Sequence, residues 1–284
     1  MAKKHIPMAI AYDFDGTLAD GNMQEHQFLP DIGMKPGDFW AEVKRLTKEH
    51  QADEVLVYMN LMLLKANAAR VPVRRDDFKA RGRTIELFPG VEGWFDRITE
   101  YARSKGVRLE HVLVSSGNAE IFAGTSIASK FAHVYASKFM FDQNGVAVWP
   151  ALAVNYTTKT QYLFRINKGA HDLSDNNAVN KFVPKAERTV PFENMIFIGD
   201  GSTDIPCFRL VKEQGGLSVA VYKARAKGSH GKGRAEGYLA EGRVHCVAPA
   251  NYADGGELDK IVKAQIDAVA ARAAIEALYA KGAK

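Results

Sequence analysis

Five short stretches of nearly continuous apolar and β-branched residues recur along the chain: MAIAYDF from residue 8, EHVLVSSG over 110–117, MIFIGDG over 195–201, LSVAVY over 217–222 and VHCVA over 244–248. Strands that alternate with helical segments predict parallel pairing, and strands covered on both faces read as unbroken apolar runs, as these do. The expectation is an α/β fold with a doubly wound parallel sheet. Residues 20–88 separate the first two strands and contain FWAEVKRLTKEH and ADEVLVYMNLMLLKANAAR at helical periodicity. That interval is far longer than a crossover helix needs, so it is read as an inserted helical cap on a core formed by residues 1–19 and 89–284. Phe39, Trp40, Tyr58, Met59 and Met62 are assigned to the cap's own core. Asn144-Gly145 lies between two alternating runs in KFMFDQNGVAVW, residues 138–149. Both residue types tolerate positive φ, so this stretch predicts a small β-hairpin.

Composition narrows the class. Of 284 residues, 46% are apolar and 25% charged, which is ordinary for a globular chain and unlike disordered or disulfide-scaffolded ones. The longest apolar run, Val55 to Leu64, is broken by Asn60 and is shorter than the ~18 residues of a membrane span. The basic N-terminus leads straight into charge without a small-residue cleavage site, so no signal peptide is expected and the cytoplasm is the expected compartment. Cys207 and Cys246 are the only cysteines and have no metal-type pairing, which suits a reducing environment. The net charge of +5 suits an acidic or phosphorylated partner. The densest basic segment, KARAKGSHGKGR over 223–234, has no aromatic residues for base stacking and is read as a solvated loop; no nucleic-acid or membrane partner is expected. Its GKG lacks the first glycine and the following Ser or Thr of a phosphate loop. A second basic run, RVPVRRDDFKARGR over 70–83, is assigned to solvated cap surface.

The first strand ends in DFDGT. Along an extended chain residues i and i+2 share a face, so Asp13 and Asp15 point together while Phe14 packs the other way; Gly16 then lets the chain turn. Paired carboxylates repel, and such a pair is best explained by a cation or an acid/base task. Magnesium, which prefers few carboxylates, several waters and a substrate phosphate, fits. A calcium loop does not, because glycine comes fourth rather than sixth and position twelve is Gln24. Another strand runs into GDGSTD with Asp200 and Asp204. Ser115 and Ser116 stand at a third strand end, where a hydroxyl and nearby N–H groups can bind a phosphate oxygen.

Together, DFDGT, the serine of LVSSG and GDGSTD resemble, in order along the chain, the motifs of the haloacid dehalogenase superfamily of phosphohydrolases. The helical insertion, the hairpin and the GDGSTD form look most similar to its phosphoserine phosphatase-like branch. The resemblance implies a Rossmann-like core, Mg²⁺ as cofactor and a small phosphorylated metabolite as substrate. It implies that Asp13 attacks phosphorus to form an aspartyl phosphate and that Asp15 serves as acid and base. The metal would be held by Asp13, the main-chain carbonyl of Asp15 and Asp200, with Asp204 supporting it directly or through water. Ser115 would orient the phosphate, with Ser116 as the alternative; Gly16, Thr17 and Gly117 complete the phosphate-binding set. The family's lysine is assigned to Lys168, with Lys159 and Lys181 as alternatives. An aspartate two residues after the nucleophile favours phosphatase or phosphomutase chemistry, and a phosphate-binding protein without turnover is the reading of another class. Substrate identity, the choice between phosphatase and mutase, and oligomeric state are not readable from the chain.

Overall fold

The computed structural model describes residues 5–224 and 231–282. In chain order, β1 (Ile6–Tyr12) is followed by α1 (Met23–His26), α2 (Phe28–Asp31), α3 (Pro36–His50), α4 (Glu54–Ala69), α5 (Arg75–Gly82) and α6 (Val91–Ser104). Next come β2 (Val107–Asn118), α7 (Ala119–Phe122), β3 (His133–Phe141), β4 (Ala147–Leu152), α8 (Tyr156–Lys168) and α9 (Asn176–Asn180). The chain ends with β5 (Met195–Gly199), α10 (Ile205–Glu213), β6 (Leu217–Tyr222), α11 (Lys232–Ala240), β7 (Cys246–Pro249) and α12 (Glu257–Gly282). The strands form one sheet in the order β4-β3-β2-β1-β5-β6-β7, parallel except for β4. The expected α/β, Rossmann-like architecture is what the chain adopts. Among the described residues no helix is long and apolar enough to cross a membrane.

Alternation within the strands builds two hydrophobic layers. Met8, Ile10 and Tyr12 of β1 join one buried cluster with residues of α6 and α12, while Ala9 and Ala11 face the other with residues of α8, α10 and α11. The small alanines on the second face allow α8 to approach closely enough for its side chains to reach the ends of the central strands.

The topology decides where a ligand can sit. From β1 the chain moves outward through β2 and β3, then returns to place β5 on β1's other side. In open α/β sheets the crevice for ligands lies beyond the carboxyl ends of the strands at such a reversal. Tyr12 is in register with Ile198 on β5 and Leu113 on β2, so DFDGT, GDGSTD and the serine loop emerge side by side.

The hairpin expected over 138–149 is present, with Gly145 at φ 72° in its turn, but β3 starts earlier, at His133, and joins the parallel sheet through β2. His133, Ser137 and Lys138 break the apolar pattern that would have marked this strand from the sequence.

The inserted helices α1–α5 are fastened to the rest at several places. Their two connections are bridged to each other, Ala19 to Leu87, and Phe88 N–H donates to Leu18 C=O at 2.9 Å. Phe39, Tyr58, Met59 and Met62 are buried as expected, in a cluster continuous with the core. Rings of Phe28, Phe78 and Phe139 stack in succession, at 6.2 and 5.2 Å between centroids, from the insertion onto β3. Arg81, which was assigned to solvated surface, is 7% exposed; it pairs with Asp31 at 2.7 Å and lies over the Phe28 ring. The closest approach is between α5 and α7. A Cβ on Gly82 would overlap the Ile121 carbonyl oxygen, and one on Gly124 would overlap that of Lys79. Both neighbours are main chain and cannot swing away.

Gly82→Ala is therefore expected to destabilise the protein by about 1–3 kcal/mol, the usual cost of overpacking. Urea unfolding of the variant beside wild type reads this as a lower midpoint.

Candidate active site

The strand ends create the site directly. β1 runs out of partners after Tyr12, and the Asp13 N–H still reaches Ile198 C=O at 2.9 Å, which locks the nucleophile candidate against β5. Gly16 turns the chain with φ 74°, and a Cβ there would stand 2.5 Å from the Asp200 carboxylate. Glycine is thus required both for the conformation and for the closeness of the two motifs.

Asp13 is 5% exposed and Lys159 fully buried. Lys159 Nζ stands 3.1 Å from Asp13 Oδ1 and donates to Asp204 Oδ1 at 2.7 Å. Asp204 Oδ2 accepts from the N–H groups of Asp200 and Gly201, each at 3.1 Å. Both oxygens of Asp204 are thus held by protein donors, which shapes the GDGSTD loop. Asp200 Oδ2 pairs with Arg234 at 2.8 Å. Asp15 Oδ1 accepts from the Met23 N–H at 2.8 Å, at the start of α1.

The lysine assignment needs correcting. Lys168, the last residue of α8, donates to the carbonyls of Val179 and Lys181 at 2.7 and 2.9 Å, and Lys181 is exposed. Neither belongs to the aspartate cluster. Lys159 does, because it sits on the buried face of α8, nine residues before Lys168.

The serine loop meets the aspartates from β2. Ser115 Oγ, fully buried, accepts from Gly117 N–H at 3.0 Å. Ser116 Oγ is buried and has no hydrogen-bond partner among the described residues. A Cβ on Gly117 would stand 2.9 Å from Asp15 Oδ2, so glycine lets the loop come up against that carboxylate. Asn118 then accepts from the N–H groups of Glu120 and Ile121, both at 3.1 Å, and starts α7. Asp13, Asp15, Gly16, Ser115, Ser116, Gly117 and Asp200 open onto one cleft of about 640 Å³. Thr17 is buried behind it, with its carbonyl accepting from the Tyr252 hydroxyl at 3.0 Å.

Burial and mutual repulsion govern these carboxylates. Asp13 is pushed up to about 6 by burial and by Asp204, against the pull of Lys159. Asp200 is pushed up to about 8 by burial and then by Asp204 and Asp13. Burial and Asp13 hold Asp15 well above the usual carboxylate range. For Lys159, burial alone would favour the neutral amine, but the charges of Asp13 and Asp204 outweigh it and hold the pKa above normal. Among the described residues four carboxylates thus share the site with two cations, Lys159 and Arg234. A divalent ion would relieve their mutual repulsion, and one oxygen each of Asp13, Asp200 and Asp204 lies within 4.8 Å of the others. Hard oxygen donors in that number fit magnesium better than a softer metal.

Sequence reasoning missed the walls of the cleft. Trp40 and Tyr58, assigned only to a helical core, line it together with Glu25, Glu54, Asn155 and Tyr156. Lys223 and Arg234, the ends of the basic segment read as a solvated loop, line it as well, with Lys223 bonded to Asp20; residues 225–230 of that segment lie outside the described residues. Helical periodicity marks a buried face without saying whether it faces a core or a cleft, and a cation in a glycine-rich stretch has no local signature of its partner.

Residues 10–209 match the haloacid dehalogenase-like hydrolase family. A protein of Borreliella burgdorferi, described as uncharacterized, is 28% identical over 286 residues, covering 91% of this chain and 96% of its own. A HAD family hydrolase from Salmonella enterica serovar Typhi superposes with a TM-score of 0.54 at 16% identity, covering 91% of this chain and 71% of that one. A substrate-bound phosphoserine phosphatase superposes at 0.51 with 15% identity, over 90% of this chain and 97% of its own. At these identities the structural likeness is one of fold.

The raised pKa of Asp200 has a consequence for stability without metal. Between pH 6.5 and 8 the unfolded chain has released its carboxylate protons (ordinary value about 3.9) while native Asp200 still holds part of one, so stability falls as pH rises through this window. His111, buried, and His171, half-buried, whose values are lowered, act with opposite sign only below about 6.5. In chelator, the urea midpoint is expected to be lower at pH 8 than at pH 6.5, and Asp200→Asn is expected to flatten that slope.

Proposed function

The chain belongs to the haloacid dehalogenase-like hydrolase family, and on that premise we propose that it is a divalent-metal-dependent phosphatase hydrolysing a small phosphomonoester through an aspartyl phosphate. The observation that carries the reading is the buried constellation of Lys159 between Asp13 and Asp204, with Asp15 and Asp200 beside it, at the mouth of the sheet's topological reversal.

In this reading the free oxygen of Asp13 attacks phosphorus; an aspartyl O–P bond forms as the ester O–P bond breaks. Asp15, whose environment favours the protonated acid, gives its proton to the departing alkoxide. The alcohol leaves, and the same carboxylate, now ionised, takes a proton from the water that attacks the aspartyl phosphate. Inorganic phosphate departs and Asp13 is restored. In this reading Lys159, fixed by Asp13 and Asp204, and the loop after Ser115 would offset the charge that shifts on the phosphoryl oxygens during transfer; preorganised donors of this kind carry most of the catalysis in phosphoryl transfer. Asp204 holds Lys159 in place. Magnesium is the expected ion; held by Asp13, Asp200 and the main-chain carbonyl of Asp15, it would neutralise phosphoryl charge. The partner is a small phosphorylated metabolite.

Purified protein is expected to release phosphate from p-nitrophenyl phosphate with magnesium and not with chelator, and Asp13→Asn is expected to abolish release. Turnover unchanged in Asp13→Asn would remove the nucleophile from the scheme. In the same assay Lys159→Met should lose at least about 10²-fold in kcat/KM, the cost of one preorganised donor. Lys168→Met should remain near wild type, and equal losses in the two variants would contradict the role given to Lys159.

A further inference from the structure

The cleft has two chemically different walls. On the sheet side stand Asp13, Asp15, Asp200 and the serine loop, with Lys159 buried behind Asp13. On the side of the inserted helices stand Glu25 of α1, Trp40 of α3, and Glu54 and Tyr58 of α4. Trp40 Nε1 and Asn22 Nδ2 both donate to Glu25 Oε1 at 2.6 Å. These bonds fix the carboxylate and leave its second oxygen without a protein donor among the described residues. Glu54 lies one turn before Tyr58 on the same helix, and among the described residues neither glutamate is in an ion pair with a cation. Trp40 and Tyr58 meet edge to face with centroids 5.8 Å apart, and the Tyr58 hydroxyl donates to Ser116 C=O at 2.8 Å, so the aromatic pair is braced against the phosphate loop. Among the described residues the cations that line the cleft, Lys223 and Arg234, are paired with Asp20 and Asp200.

Two carboxylates lining one cleft wall with two aromatic rings attract a cation through their charge. They repel a carboxylate. From this juxtaposition we propose that Glu25, Glu54, Trp40 and Tyr58 form the leaving-group subsite, and that the substrate is the phosphomonoester of an amino alcohol bearing an ammonium and no carboxylate. The inference rests on the phosphatase reading above and adds selectivity to it. O-phosphoserine carries the ammonium too, but its carboxylate would enter a wall that already holds two. Glycerol phosphate would leave both glutamates in the cleft without a counter-charge, the more costly arrangement as the site is desolvated.

The test compares kcat/KM for phosphate release from O-phosphoethanolamine, phosphocholine, O-phosphoserine, glycerol 3-phosphate and p-nitrophenyl phosphate, using the full-length protein with magnesium. An ammonium-bearing ester without carboxylate is expected to exceed O-phosphoserine and glycerol 3-phosphate by at least about tenfold. In Glu25→Gln and in Glu54→Gln, the ratio of kcat/KM for that ester to kcat/KM for p-nitrophenyl phosphate should fall at least about tenfold, mainly through KM. This ratio does not depend on how much of each preparation is folded. Turnover of p-nitrophenyl phosphate without preference for the ammonium esters, or with a ratio unmoved by both variants, overturns the subsite and leaves the phosphatase standing. Absence of turnover on every ester, p-nitrophenyl phosphate included, overturns both.

Discussion

Lys159 brings an ammonium to a place that water does not reach, 3.1 Å from Asp13 and 2.7 Å from Asp204, and three separate pieces of chain are fixed by where it lands. An unpaired charge at that depth would be strongly unfavourable; two carboxylates and two further N–H groups on Asp204 make it tolerable. The arrangement leaves little choice to its neighbours. α8 must present this face to the sheet, β1 must end where it does, and the loop after β5 must curl so that Asp204 faces back. A buried ion network of this kind adds less to stability than to definition, because any one partner lost would leave the others stranded. It also separates the two oxygens of Asp13: one is engaged with the ammonium and the other is left for chemistry.

The sheet makes that network possible. Parallel strands all deliver their carboxyl ends to one rim, and the reversal between β1 and β5 sets the DFDGT and GDGSTD loops next to each other, with the serine loop beside them through β2. Charge then accumulates faster than it is neutralised. The excess of carboxylate over cation among the described residues sets the rim apart from an ordinary balanced ion-pair cluster.

What the sequence could reveal follows the range of each signal. Asp13, Asp15 and Asp200 were legible because strand periodicity and strand ends are local: two carboxylates at i and i+2 must share a face wherever the strand goes. Lys159 was legible only as one of three lysines, since nothing in TTKTQYLFRINK separates a buried cation from a solvated one. Lys168 is followed by Gly169, which at φ 68° ends α8 in the left-handed conformation, so the pair is a helix stop. Trp40 and Tyr58 were legible as apolar positions of helices, but their place on the cleft depends on how α3 and α4 pack against the serine loop some 60–75 residues away in the chain. The early part of β3 was hidden because His133 and Ser137 interrupt its apolar run, and what accommodates them is distant in the chain: the His133 ring stacks on His171, and Ser137 Oγ accepts from the Val154 N–H at 3.0 Å.

The meeting of Gly82 with Gly124 has an implication for how such chains diversify. Because α5 rests backbone to backbone on the turn that follows the serine loop, the inserted helices are not an interchangeable attachment. A chimera that imports another protein's residues between 20 and 88 would have to import the matching stretch around 119–124 as well. Recombination that respects only the two covalent junctions would separate surfaces shaped for each other, so selectivity and catalytic loop should be inherited as one block.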